Sequence, residues 1–169
     1  MLTINNYLQD ITQELTNQEQ TNQEQTLIAI LKTKLQQSFH PDVKQIEFTF
    51  TTEPTNQELT ITLFKMDNEA NEVFEVGSSG IEGAEEILED ISYYPSPADQ
   101  EEIDQFYEQN DLELEAKEQK AIITWFEKCF HKAVPVTFTL PAYATFHDAQ
   151  ESLNLHSSQW MDIEERWSF

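Results

Sequence analysis

The chain has one cysteine, three glycines and only nine lysines and arginines among its 169 residues. A lone thiol, Cys129, excludes an internal disulfide framework. No apolar run approaches the ~20 residues of a membrane-spanning helix, and the N-terminus lacks the basic residues and apolar stretch of a secretory signal. The expected location is therefore cytoplasmic. Set against the few cations are 32 carboxylates, for a net charge of −23. A surface of that sign repels nucleic acid and anionic membranes, so neither is expected as a direct partner.

Aromatic residues are plentiful, with eleven Phe, five Tyr and three Trp. Together with an apolar content of 38% they suffice for one globular domain over residues 1–169. The acidity is clumped. Between Glu82 and Glu118, fourteen carboxylates face the single cation Lys117, which places thirteen net negative charges in 37 residues. General solvation, as in adaptation to salt, would need no such clumping.

Hydrophobic spacing divides the chain into four parts. Residues 1–39 read as two helices, with Ile4, Leu8, Ile11 and Leu15 on the first and Leu27, Ile28, Ile30, Leu31, Leu35 and Phe39 on the second. The duplicated TNQEQ between them reads as a polar connector, with Thr21 or Asn22 capping the second helix, which His40-Pro41 then ends. Residues 44–77 read as a β-meander. Ile46, Phe48 and Phe50 alternate with polar residues, as do Leu59, Ile61 and Leu63, with a turn at 53–56 and a third strand at 72–76.

All three glycines fall between Gly77 and Gly83, which reads as a connection from sheet to helix. Residues 83–133 then read as an acidic helical part: Ile87, Leu88 and Ile91 on one segment, and Ile103, Phe106 and Tyr107 on a second begun by Ser96-Pro97-Ala98-Asp99. A third segment, about Leu112 to Ala133, carries the stripe Ile122, Trp125, Phe126, Cys129, Phe130 and Ala133. In residues 134–169, alternation from Val134 to Leu140 predicts a strand that Tyr143 to Phe146 could extend, and Trp160, Ile163 and Trp167 have helical spacing. The fold class is α+β: a mostly antiparallel sheet of four or five strands with helices on one face.

No motif specifies a reaction. His147-Asp148, with His156 and Asp162, offers ligand types for a metal-dependent enzyme but not the wider pattern of such sites. Cys129 and His131 are two apart on a helix and so diverge, leaving Cys129 a structural thiol. The glycine segment is followed by Glu82, Glu85, Glu86, Glu89 and Asp90, which would repel a phosphate. Asp67 to Glu72 has oxygen ligands for calcium without the loop spacing or glycine, and reads as a hairpin turn. The carboxylates from Asp99 to Glu118, set among Gln and Asn, read as solvated. No cofactor is expected.

What remains is surface recognition of a basic protein. The residues expected to form that surface are Glu85, Glu86, Glu89, Asp90, Asp99, Glu101, Glu102, Asp104, Glu108 and Asp111, with Tyr93 and Tyr94 as aromatic anchors among them. In size, acidity and absence of a catalytic motif the chain resembles immunity proteins that neutralise bacterial nuclease toxins. That resemblance is compositional and carries no individual residues over. It implies a non-enzymatic inhibitor. A second expectation is a DNA mimic whose carboxylates copy a phosphate array, and a third, from another class, is the metal-dependent enzyme through His147, Asp148 and His156.

Overall fold

The computed structural model describes residues 1–17, 22–77, 80–95 and 99–167. Two helices open the chain, α1 over Ile4–Thr16 and α2 over Gln23–Gln36. On α1 the buried residues Tyr7, Ile11 and Leu15 are four apart, and the Thr3 side chain caps the helix by accepting from the Asn6 amide at 3.2 Å. On α2 Leu27, Leu31 and Leu35 repeat that spacing. Asn22 stands at the cap position of α2 but in the left-handed conformation, and its side chain makes no capping bond there. The other expected cap, Thr21, lies outside the described residues.

The expected hairpin forms from β1 (Gln45–Glu53) and β2 (Glu58–Met66), closed at Glu53 opposite Glu58. Ile46, Phe48, Phe50, Leu59, Ile61 and Leu63 all turn into the core. The third strand of the meander is corrected. Beyond a bridge from Met66 to Glu72, residues 72–76 leave the main sheet, and β3 (Glu75–Gly77) pairs with β4 (Gly80–Glu82) as a separate two-stranded ribbon. The glycine segment thus spans a hairpin, of which residues 78 and 79 lie outside the described residues.

The strand that does extend β2 is β5, Glu85–Ser92, in place of the helix expected over Ile87, Leu88 and Ile91. Its register explains the difference. Leu59 faces Ile91, Ile61 faces Leu88 and Thr62 faces Glu86, so β5 twice carries one residue more than its partner. Each bulge resets the alternation. The buried pair Ile87–Leu88 and the half-buried Ile91 therefore fall at the spacing of a helix face while the backbone is extended. Asp90, with φ 48°, occupies a left-handed position at the second irregularity and its amide donates to Thr60 Oγ1 at 3.2 Å.

Helix α3 runs over Gln100–Ala133 with a break at Asp111, where φ is 26°. Asp99 caps it, accepting from the amides of Glu101 at 3.0 Å and Glu102 at 3.4 Å; the expected start signals at 96–98 lie outside the described residues. Past the break, the stripe from Ile122 to Ala133 is buried against the sheet, with Phe126 packed on Phe48 and Phe50 at centroid distances of 4.8 and 5.0 Å. Burying each such ring contributes about 1.5–3 kcal/mol before entropy is counted.

Val134 to Leu140 forms no strand. Val136 is fully exposed and the Phe138 amide closes a turn onto the Pro135 carbonyl at 3.0 Å. The strand is β6, Ala142–Phe146, which lies parallel to β1. The tail expected to be helical is instead a hairpin of β7 (Glu151–Asn154) and β8 (Gln159–Asp162), followed by one 3-10 turn, Glu165–Trp167. The main sheet has six strands in the order β5-β2-β1-β6-β7-β8, antiparallel except for β1 with β6, so the α+β class holds. On the face away from the helices, the Arg166 guanidinium lies 5.0 Å from the Tyr143 ring centroid and pairs with Glu47.

Candidate protein-binding surface

The acidic block is built on two unlike elements, the edge strand β5 and the first half of α3. On β5 the side chains of Glu85, Glu86, Glu89 and Asp90 are exposed. Charge on an edge strand also discourages pairing with another chain. On α3 burial of Ile103 and Phe106, three apart, turns Glu101, Glu102, Asp104 and Glu108 outward, and Asp99 and Asp111 are exposed as well. All ten expected carboxylates therefore face solvent. Among the described residues, ion pairs in the block are limited to Glu85 with Lys34 and Glu113 with Lys117, each at 2.6 Å. Crowding is felt locally: a hydrogen bond with Glu86, that neighbour's charge and, to a smaller extent, Asp90 raise the Glu89 pKa from its ordinary value.

The two expected aromatic anchors are not on this surface. Tyr93 is 0% and Tyr94 5% exposed. Tyr94 stacks on Tyr7 of α1 with centroids 4.7 Å apart, and Phe106 and Tyr107 of α3 pack on Tyr7 at 5.5 and 5.7 Å. These rings gain more from mutual burial than from display. They act from beneath, joining α1, the end of β5 and the start of α3 into one body, so the carboxylates on β5 and α3 are held relative to one another.

At the centre of that cluster is Glu118, which sequence reasoning left among the solvated carboxylates and which is 4% exposed. Its Oε2 accepts from Tyr7 Oη at 2.5 Å and from Tyr107 Oη at 2.5 Å, and the two phenol oxygens also contact each other. Tyr93 Oη is buried close enough to feel the charges of Glu118 and Tyr107 yet lacks a well-directed hydrogen bond. Burial raises the Glu118 pKa despite the opposing tyrosine bonds, with Glu115 adding to the rise. Burial likewise raises Tyr7, Tyr93 and Tyr107, and pushes Tyr94, beside Asp10, up to about 12. A signal existed in the sequence: Glu118 lies midway between Leu114 and Ile122, four from each, in line with the buried stripe.

The residues of the metal-enzyme expectation have other uses. His147 and Asp148 sit in the exposed turn after β6, 3.6 Å apart, while His156 bonds the Leu140 carbonyl at 2.8 Å and stacks on Phe138. Asp162 is at the end of β8. Among the described residues no three His, Cys, Asp or Glu side chains converge for a metal ion. The Asp67 carboxylate is taken up by its own turn, accepting from the amides of Glu69 at 2.8 Å and Asn71 at 2.9 Å. Cys129 is fully buried beside Glu24, and desolvation followed by that charge pushes its thiol up to about 12.

No family model, curated protein or solved structure matches the chain. Among the described residues no helix is long and apolar enough to cross a membrane.

Proposed function

We propose that the protein binds a basic partner protein through the exposed carboxylates of β5 and α3, and thereby inhibits or neutralises it. In its most specific form the reading is an immunity protein acting on a bacterial nuclease toxin. The observation that supports it best is the joining of two acidic elements through one buried aromatic cluster. Glu85, Glu86, Glu89 and Asp90 on β5 and Glu101, Glu102, Asp104 and Glu108 on α3 are exposed, while Tyr94, Tyr7 and Phe106 bind the two elements from within. A preorganised negative field raises the encounter rate with a cationic surface and loses little entropy on docking.

Reversal of Glu101, Glu102, Asp104 and Glu108 to Lys tests this reading, because all four are exposed and the buried face of α3 is untouched. Immobilised wild type is expected to capture a basic protein from a lysate of the native host, and the reversed variant to lose it. Equal capture by a folded variant would contradict the assignment. Displacement of the captured protein by duplex DNA would point instead to mimicry of a phosphate array. Retention in salt, with indifference to DNA, would point to a dedicated partner.

A further inference from the structure

We propose that Glu118 is a neutral carboxylic acid in the folded protein at neutral pH, and that its proton is the catch of a clamp joining α1 to α3. Tyr7 Oη, Tyr107 Oη and Glu118 Oε2 form a triangle in which every pair is within hydrogen-bonding distance. Each edge of that triangle needs one proton. The two phenols bring two, and an ionised carboxylate brings none, so one edge would set lone pair against lone pair in a buried site. A protonated Glu118 supplies the third: its Oε2–H donates to one phenol, that phenol to the other, and the second phenol back to Oε2, so that one of the two bonds a carboxylate would accept is reversed.

The surroundings favour the same state. Tyr7 faces Glu118 from α1, Tyr93 from the segment after β5, and Tyr107 and Glu115 from α3 itself. Asp10 and Glu102 lie beyond them, beside Tyr94, which stacks on Tyr7. These groups are neutral or negative. Among the described residues no Lys, Arg or His pairs with Glu118, so an ionised carboxylate there would be met by phenol hydrogen bonds and by no opposite charge.

The sign of the pH effect follows. A carboxyl raised by folding keeps its proton where the unfolded chain loses it, from the ordinary 4.5 upward. Its contribution to stability is complete below that value and is lost as pH rises to the folded-state pKa. Above that pKa the clamp encloses a charge and loosens. The effect lies within the fold and needs no partner.

Glu118→Gln separates the two states, since a carboxamide keeps the shape, carries no charge at any pH of interest, and can turn its Nε2 protons toward both phenol oxygens. Thermal unfolding of wild type and E118Q would be compared at pH 4 and pH 8. The expected result is a midpoint difference, variant minus wild type, at least ~3 °C more positive at pH 8 than at pH 4, within the range that about 1 kcal/mol produces in a domain of this size. A difference that is the same at both pH values would overturn the proposal. In wild type itself, the Glu118 carboxyl carbon resonance should hold its protonated position at pH 7, and titration in the usual carboxylate range would also overturn it. The amides of α1 should exchange faster as pH rises in wild type than in E118Q, after correction for intrinsic exchange. Identical profiles would remove the clamp.

Discussion

Tyr7 and Glu118 stand 111 positions apart in the chain, and the hydroxyl of one lies 2.5 Å from the carboxyl of the other. That contact fastens α1 to α3 in the middle of an otherwise aromatic interface. Tyr7 is the ring on which Tyr94, Phe106 and Tyr107 all pack, so it links α1 to both arms of the acidic surface.

Removal of one hydroxyl should be costly there. Tyr7→Phe keeps the ring, removes one of the two hydrogen bonds at Glu118 Oε2 and leaves Tyr107 and Glu118 only each other, which costs about 1 kcal/mol or more. Equilibrium urea unfolding should show a lower midpoint with an unchanged slope. A midpoint equal to wild type would mean that the hydroxyl contributes nothing to the clamp.

Cys129 should be inert in the native state. It is fully buried, and burial beside Glu24 pushes its thiol up to about 12, so at pH 8 the thiolate that reacts is scarce as well as inaccessible. A chromogenic disulfide reagent should label less than a tenth of the protein before unfolding and one thiol per chain after it. Rapid stoichiometric labelling of folded protein would contradict this.

Asp90 carries a backbone conformation that favours glycine, φ 48°, at an irregularity of β5. Asp90→Gly should therefore stabilise the protein by about 0.5–1 kcal/mol, and Asp90→Val should destabilise it by about 1–2 kcal/mol. Unfolding free energies of the pair decide the matter. The opposite order would mean that β5 does not hold this bulge.

Much of the fold was legible because burial imposes a period. Ile46, Phe48 and Phe50 alternate, Ile11 and Leu15 stand on the buried face of α1 with Ile4 and Leu8 half-buried beside them, and the stripe from Ile122 to Ala133 marks α3, whereas Tyr7 at the centre of the α1 face was not picked out. Where the period misleads, the cause is local. Two bulges give β5 a helical spacing of apolar residues, and the run from Val134 to Leu140 alternates without a strand to pair with, so it turns at Pro135 instead. The tail pairs as β7 and β8, a hairpin that continues the sheet from β6 just before it, and the helical spacing of Trp160, Ile163 and Trp167 is the accident of one strand followed by a turn.

The surface was legible in part, for the same reasons. Exposure of the ten carboxylates follows from where Ile87, Leu88, Ile103 and Phe106 point. Tyr93 and Tyr94 did not announce their burial, since it depends on Tyr7 arriving from α1, and Glu118 did so only through its spacing from Leu114 and Ile122. Neighbours in the chain say little about a contact made across a hundred residues.

The turn at Asp67 gives a pH signature of the opposite sign to that of Glu118. Its carboxylate accepts amide hydrogen bonds, that of Asn71 having the largest effect, and these hold its pKa below the ordinary 3.8. The stabilisation is present above 3.8 and is lost as pH falls through the lowered folded-state value. Carboxyl resonances followed from pH 6 to pH 2 should show Asp67 titrating below the average Asp, and titration at or above the ordinary value would contradict the turn geometry.

Hydrogen–deuterium exchange of the chain, alone and with the basic protein it captures, tests the central claim most directly. The expected result is new protection on the amides of β5 and of residues 99–111, with little change on β7, β8 and the turn at His147. Protection confined to those last elements, or failure of the protein to retain any basic protein even at low salt, would contradict the acidic face as a docking surface.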